Sequence, residues 1–482
     1  MLRIGKIFLI LTLMALSACS VNPATGEKQF TAFMSPQQER AIGAQEHAKI
    51  IELFGEYRDP DLVNYVNRVG EQIAQNTEQP DMNFRFTVLD TPMVNAFALP
   101  GGYVYVSRGL ALQANSEAEL AAVLAHEIGH ITARHSAERY SHGVLTSLGA
   151  TVLAAATESS TLSQAAGLGG NLYIKSYSRG QEHQADELGV RYLHSSGYAP
   201  SAMASFLANL EQYSAFEARL SGSGQPMPFN YFSTHPRTSD RIAEVRSIAS
   251  RYPRNDGVIE RGEYLKLIDG TVYGDSARHG FARGQSFYHP AMGFTFSVPR
   301  GFRIINQPTE VVAAGPDGAI ILFDAAQTSS ATDPLTYLTR IWMGGEELKM
   351  RESIMINGMN AATAAFNARV NGKPVTVRIV AVQWEPNRFF RFQMAIPRNA
   401  DAQFVDDLKR TTYSFRKMTG EEKESIKPYI MDIIKAGSGD TASSLARRMA
   451  FENLKEERFR VLNAMKPGEK VVTGEIYKIV SR

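Results

Sequence analysis

The chain has 482 residues and one cysteine, with 44% hydrophobic and 21% charged residues. That balance fits globular domains, about three of them at ~150 residues each, and excludes collagen, a long coiled coil or wholesale disorder. Lys and Arg (51) exceed Asp and Glu (49) by only +2, which gives no case for nucleic acid, and a lone cysteine excludes a disulfide framework or a cysteine-based zinc site.

Arg3 and Lys6 open the chain, an apolar run follows from Ile7 to Leu16, and Leu16-Ser17-Ala18-Cys19 ends it. The run is too short to span a bilayer as a helix. The pattern resembles a bacterial lipoprotein signal. That implies removal of 1–18, lipidation of Cys19 and a periplasmic location, with Ser20 pointing to the outer membrane. No later apolar stretch reaches 18 residues, and Gly143 to Ala156 reads as a buried helix. The chain is therefore expected to be held to the membrane by lipid, without spanning it.

Residues 19–34 are polar and turn-rich and read as a tether. From 35 to 255 the pattern is mainly helical. Ser35-Pro36 starts one helix, and Pro60 begins another that carries Leu62, Val66, Val69 and Ile73 on one face. Asn83 to Leu89 and Tyr103 to Ser107 read as short strands of a small sheet, and 116–137, 182–195 and 200–217 as helices. Residues 256–284 read as a linker. The segment 285–420 reads as an α+β domain, with a hairpin around Glu385-Pro386-Asn387 and helices at 333–343 and 401–415. Residues 425–482 read as a small third unit. The expected fold class is thus multidomain α+β.

His126-Glu127-Ile128-Gly129-His130 carries the chemistry. Ser116 and Glu119 form a capping box that starts its helix. At ~100° per residue the two histidines lie ~40° apart on one face, away from the stripe of Leu120, Leu124, Ile128 and Ile131. Two neutral imidazoles on one face can hold one zinc ion that keeps a position for water, and Glu127 beside them can take a proton from that water. His135 faces the opposite side of a continuing helix. Position 136 is Ser where the metzincin pattern needs a third His. Glu182 and Asp186, four apart on one helix face, offer one carboxylate for a metal and one to orient an imidazole. Spacing alone also allows a plain surface pair.

Four segments carry a resemblance. They are Asn95-Ala96-Phe97-Ala98-Leu99-Pro100-Gly101-Gly102, the His126–His130 motif, Ser178-Arg179 with Glu182-His183-Gln184-Ala185-Asp186, and Ser233-Thr234-His235-Pro236 with Arg241. In order and spacing the chain resembles the HtpX-like and BepA-like zinc metallopeptidases, relatives of the CAAX prenyl proteases. The resemblance covers about 22–250, and Val21-Asn22-Pro23-Ala24-Thr25-Gly26 is typical of the family's periplasmic and lipoprotein members. It implies a gluzincin-type zincin domain with one zinc ion on His126, His130 and Glu182. It also implies Glu127 as general base, Asp186 behind the ligands, and His235 with Arg241 near the metal, His235 as a latch or a transition-state donor. Asn95 and Ala96 match the family's substrate-side segment. Val104 and Tyr105 are expected on an edge strand that pairs with an extended substrate. Residues 425–482, with Gly439-Asp440-Thr441 and Asn463, resemble a LysM-type βααβ module, which implies peptidoglycan as a partner.

The expected activity is hydrolysis of peptide bonds in misfolded or stalled envelope proteins. Two rivals stand beside it: an assembly factor or chaperone whose zinc site is mostly latched, and a peptidoglycan-bound structural protein.

Overall fold

Ser35, Asp59, Ser116 and Ser178 each turn a side-chain oxygen onto an amide of the following turn, and a helix starts at each. A computed structural model describes residues 19–144, 176–220, 231–236, 240–253, 257–370 and 372–482. The expected signal segment, the apolar stretch from 145 onward and the loop Ser221–Gly224 lie outside the described residues. The chain forms two units: one runs to Tyr273 and takes up Ile430–Ser481, and the other is Gly274–Tyr429.

In the first unit β1 (Cys19–Val21) pairs with β2 (Lys28–Phe30). Then come α1 (Pro36–Phe54), α2 (Pro60–Ala74), β3 (Arg85–Leu89), β4 (Ala96–Leu99), β5 (Tyr103–Ser107), α3 (Arg108–Gln113) and α4 (Glu117–Thr132). After these follow α5 (Arg179–Ser195), α6 (Ala202–Leu220), the short α7 (Tyr231–Thr234), α8 (Arg241–Ala249), α9 (Arg261–Leu267) and β6 (Val272–Tyr273). Every residue of α4 is buried, packed by α5, α2, α6 and β4. Two glycines let α5 approach α4. A Cβ at Gly129 would meet the Ala185 carbonyl at 3.1 Å, and one at Gly189 would meet the His126 amide at 3.2 Å.

The small sheet corrects one expectation. Its order is β3-β5-β4, with β5 parallel to β3 and antiparallel to β4. Val104 and Tyr105 therefore lie in the middle strand, hydrogen-bonded on both sides, and are no edge for a substrate. The alternating Tyr-Val pattern of β5 marks a strand but not its place in a sheet. The strand on the α4 side is β4, which begins at Ala96, with Asn95 just before it.

The second unit is built on a seven-stranded antiparallel sheet. Among its strands are β7 (Phe281–Arg283), β8 (Ser286–His289), β9 (Phe294–Ser297), β10 (Arg303–Asn306), β11 (Glu310–Ala314) and β12 (Ile320–Gln327). The others are β13 (Lys349–Ile356), β14 (Met359–Val370), β15 (Lys373–Glu385) and β16 (Arg388–Pro397), followed by α10 (Ala402–Ser414) and β17 (Arg416–Lys417). The large sheet has the order β10-β11-β12-β16-β15-β14-β13, and β17-β9-β8-β7 form a second. Phe294, Phe296, Phe323, Phe390, Phe392 and Phe415 fill the core of this unit. The hairpin at 385–387 joins β15 to β16.

The chain then forms β18 (Tyr429–Lys435), α12 (Ala442–Arg447), α13 (Lys455–Leu462) and β19 (Ile476–Ser481), with α11 (Gly420–Ser425) before them. This is a βααβ order, with β18 antiparallel to β19. Read from sequence as a unit of its own, the segment instead shares a sheet, β19-β18-β6, with the first unit. The expected linker, 256–284, is divided: its residues up to Tyr273 belong to the first unit and those from Gly274 to the second. Tyr264 of α9 is fully buried and donates to the Ala111 carbonyl at 2.6 Å.

Lys478 of β19 is fully buried, and its Nζ donates to the carbonyls of Leu112, Gln113 and Ala114 at 3.0, 3.1 and 2.9 Å. These are carbonyls at the end of α3, which a helix cannot satisfy internally. They sit at the corner where Ser116 caps α4. Lys478→Met removes this donor from all three, and only the Gln113 carbonyl keeps another, Asn115 Nδ2 at 3.1 Å. The amides at the start of α4 are then expected to lose about 1–3 kcal/mol of hydrogen-exchange protection. The exposed Lys470→Met serves as control, within about 0.5 kcal/mol of wild type.

Candidate metal centre

The two histidines of α4 point at one spot, and α5 brings two carboxylates to it. His126 Nε2 lies 3.1 Å from His130 Nε2. Glu182 places one oxygen 3.6 Å from His126 Nε2 and the other 3.4 Å from His130 Nε2. His235, just past α7, lies with Nδ1 2.9 Å from Glu182 and 3.3 Å from His126 Nε2, and with Nε2 3.4 Å from Glu127. One ligand atom from each of His126, His130, Glu182 and His235 falls within 4.8 Å of the others. Each of these side chains, and Glu127, is at most 2% exposed.

The surrounding bonds fix where the imidazole protons sit. His126 Nδ1 is 2.9 Å from Asp186, a carboxylate that can only accept, so Nδ1 carries the hydrogen and Nε2 presents a lone pair. His130 Nδ1 is 2.7 Å from His135 Nδ1, and His135 Nε2 is 2.8 Å from Gln184 Oε1. The amide oxygen accepts, so His135 Nε2 donates and its Nδ1 accepts from His130 Nδ1–H. His130 Nε2 is then bare as well. Burial lowers the His135 pKa to about 4, so this ring is neutral at pH 7.

Two imidazole lone pairs and a carboxylate thus face one another at 3.1–3.6 Å with no proton among them. Such a set of acceptors is repulsive by itself and suits a cation. Neutral nitrogen and carboxylate donors in a buried pocket fit zinc.

Arg241 at the start of α8 holds the acid side of the site. Its Nε and Nη2 grip both Asp186 oxygens at 2.7 and 2.8 Å, and its Nη1 lies 2.7 Å from Glu182. Burial raises both carboxyls, but the charges around them outweigh it. Arg241 holds Asp186 down, while His235 and Arg241 together hold Glu182 well below the usual carboxylate range. Burial pushes the Glu127 carboxyl up, against the opposing influence of His235. Burial would lower His235, but Glu182 and Glu127 raise it. Tyr177 stacks on the His130 ring at 3.6 Å and Tyr231 on the His235 ring at 4.4 Å.

The structure therefore brings together His126, Glu127, His130, Glu182, Asp186, His235 and Arg241. Sequence reasoning missed His135, Gln184, Tyr177 and Tyr231. His135 was set aside on the premise of one continuous helix. The helix breaks instead: α4 stops at Thr132, Arg134 adopts φ 55°, and helical backbone resumes at 135. That break swings His135 back onto His130. Left-handed backbone favours Gly or Asn, so an Arg there gives no signal. It is held by Glu39 at 3.3 Å and by the Met34 carbonyl at 2.9 Å.

Residues 60–249 match the family described as Peptidase family M48. The "Beta-barrel assembly-enhancing protease" of Yersinia pestis is 33% identical over 202 residues, 40% of each chain. The "Putative beta-barrel assembly-enhancing protease" of Vibrio cholerae is 34% identical over 204 residues, again 40% of each. The "Mitochondrial metalloendopeptidase OMA1" of Schizosaccharomyces pombe is 32% identical over 200 residues, 40% of this chain and 57% of that one. The chain thus covers about two fifths of the first two relatives.

Arg241 joins the two carboxylates of the site. Arg241→Met is expected to weaken zinc binding about 10- to 100-fold, measured by competition with a chromogenic chelator. Arg241→Lys is expected to restore little, since one ammonium cannot replace a planar fork on two carboxylates.

Proposed function

We propose that this chain is a zinc-dependent endopeptidase of the bacterial envelope. The observation that carries the reading is the acceptor cluster of His126, His130 and Glu182 with the Glu127 carboxyl buried beside it. A bound zinc ion supplies Lewis acidity to the attacking water and the scissile carbonyl. Glu127 takes the proton of that water and returns it to the leaving amine. Its raised pKa brings it nearer to working pH, which suits a group that must both accept and donate. Asp186 and His135 keep the ligand nitrogens deprotonated. Arg241 keeps Asp186 and Glu182 charged and in place.

His235 has the role of a latch. It lies between Glu182 and Glu127, and in this conformation neither Glu127 oxygen is open to solvent. This burial favours a second reading, an assembly factor whose site is mostly shut. The substrates proposed are unfolded or misfolded envelope proteins, because an extended chain alone offers free backbone to a strand such as β4. The names of the relatives, two of them assembly-enhancing proteases, support the envelope setting. Lipidation at Cys19 and outer-membrane placement belong to the same reading and rest on the sequence pattern around that residue. The βααβ order of Ile430–Ser481 supports a LysM-like module, with peptidoglycan as its ligand.

Glu127→Gln is expected to keep one zinc per chain and to lose casein cleavage by at least about 100-fold. Cleavage by that variant at the wild-type rate sinks the endopeptidase. His235→Ala is expected to cleave faster than wild type, and an unchanged rate removes the latch. Full-length chain is expected to co-sediment with purified sacculi; chain left wholly in the supernatant ends the glycan part of the reading.

A further inference from the structure

Asn22 lies in the segment read from sequence as a mere tether, yet it is buried. Its Oδ1 accepts from the amides of Ala24 and Thr25 at 3.0 and 3.3 Å. The Nδ2 group must therefore be the end that faces the protein. It donates to the Ala133 carbonyl, just beyond α4, and to Gln184 Oε1, each at 3.3 Å. Five residues on, the Glu27 carboxylate accepts from Gln184 Nε2 at 3.0 Å. One side of the Gln184 amide thus meets a donor and the other an obligate acceptor, so the amide has one favoured orientation.

That orientation decides what His135 meets. With the oxygen toward His135 Nε2, the hydrogen sits on Nε2, and His130 Nδ1–H donates to His135 Nδ1. Were the amide turned over, its NH2 would face His135 Nε2. The hydrogen would move to His135 Nδ1, and His130 would carry its own on Nε2, the atom that faces Glu182 and His126. A protonated Nε2 cannot bind a metal.

We infer that the segment Asn22–Glu27 is a positioning element of the metal centre. It fixes the tautomer of His130 through Gln184 and His135. The inference rests on the reading that His130 binds the ion, and it adds residues that lie outside the matched M48 domain.

The test uses full-length protein and zinc alone, with affinity read by chelator competition and the ligand field read by the absorption spectrum of the cobalt-substituted protein. Gln184→Leu is expected to lower zinc affinity about 10- to 100-fold and to alter the cobalt spectrum. The swap Gln184→Glu with Glu27→Gln conserves charge. It presents an oxygen to His135 whichever way the side chain turns, and is expected to restore both readouts. Asn22→Leu is expected to weaken binding in the wild-type background and to cost less in the swap, where no orientation remains to be set. An equal cost in both backgrounds overturns the inference, because loosened packing alone would act alike in each. Wild-type affinity in Gln184→Leu also overturns it. His130→Ala is the separate control: if that variant binds zinc as wild type does, the ligand reading fails, whatever the relay does.

Discussion

Two imidazole lone pairs and a carboxylate held at 3.1–3.6 Å dominate the energetics of the first unit. Like acceptors repel, and a buried site screens that repulsion less than water would. The fold holds them together by making each neighbour an obligate hydrogen-bond partner. Asp186 can only accept from His126, and Arg241 can only donate to Asp186 and Glu182. Helix α5 must come close enough for Glu182 to reach α4, which is where Gly129 and Gly189 matter. A methyl group at Gly129 would press on the Ala185 backbone, one residue from Asp186.

The same burial that strengthens the site also closes it. Glu127 gains a raised pKa by losing water, and burial would lower His235 but the two carboxylates it covers raise it. A group that stabilises the closed site this well must move for a substrate to enter. On the proposed reading, activity would depend on the balance between His235 against Glu182 and His235 displaced. Endopeptidase and latched assembly factor would then be two populations of one site, set by about a few kcal/mol.

The helical pattern of the first unit was legible in sequence wherever capping and periodicity agreed, as at Ser35 and Ser116. So was the shared face of His126 and His130, because it follows from local geometry alone. Glu182 and Asp186 were legible only through resemblance. Their spacing marks a helix face but not what that face meets, and what it meets depends on two small residues elsewhere. His135 was lost because one left-handed residue, Arg134, redirects the chain, and its conformation is imposed by Glu39 and the Met34 carbonyl far back in sequence. In the second unit, β14 escaped notice because its alanines carry little strand preference. It forms because it is paired on both sides, by β13 and β15.

Boundaries misled for a related reason. Polar turn-rich sequence at 19–34 and a small terminal unit at 425–482 look like places where contacts end, yet both segments hold the ends of α4. Lys478 satisfies the carbonyls of Leu112, Gln113 and Ala114 at the corner before its first turn, and Asn22 binds the Ala133 carbonyl just past its last. A helix with two ligands on one turn tolerates little rotation, since a small twist moves both imidazoles off a shared centre. Clamping its two ends from opposite extremes of the sequence restrains that twist with few residues. It also makes the metal geometry answer to segments that lie outside the matched M48 domain.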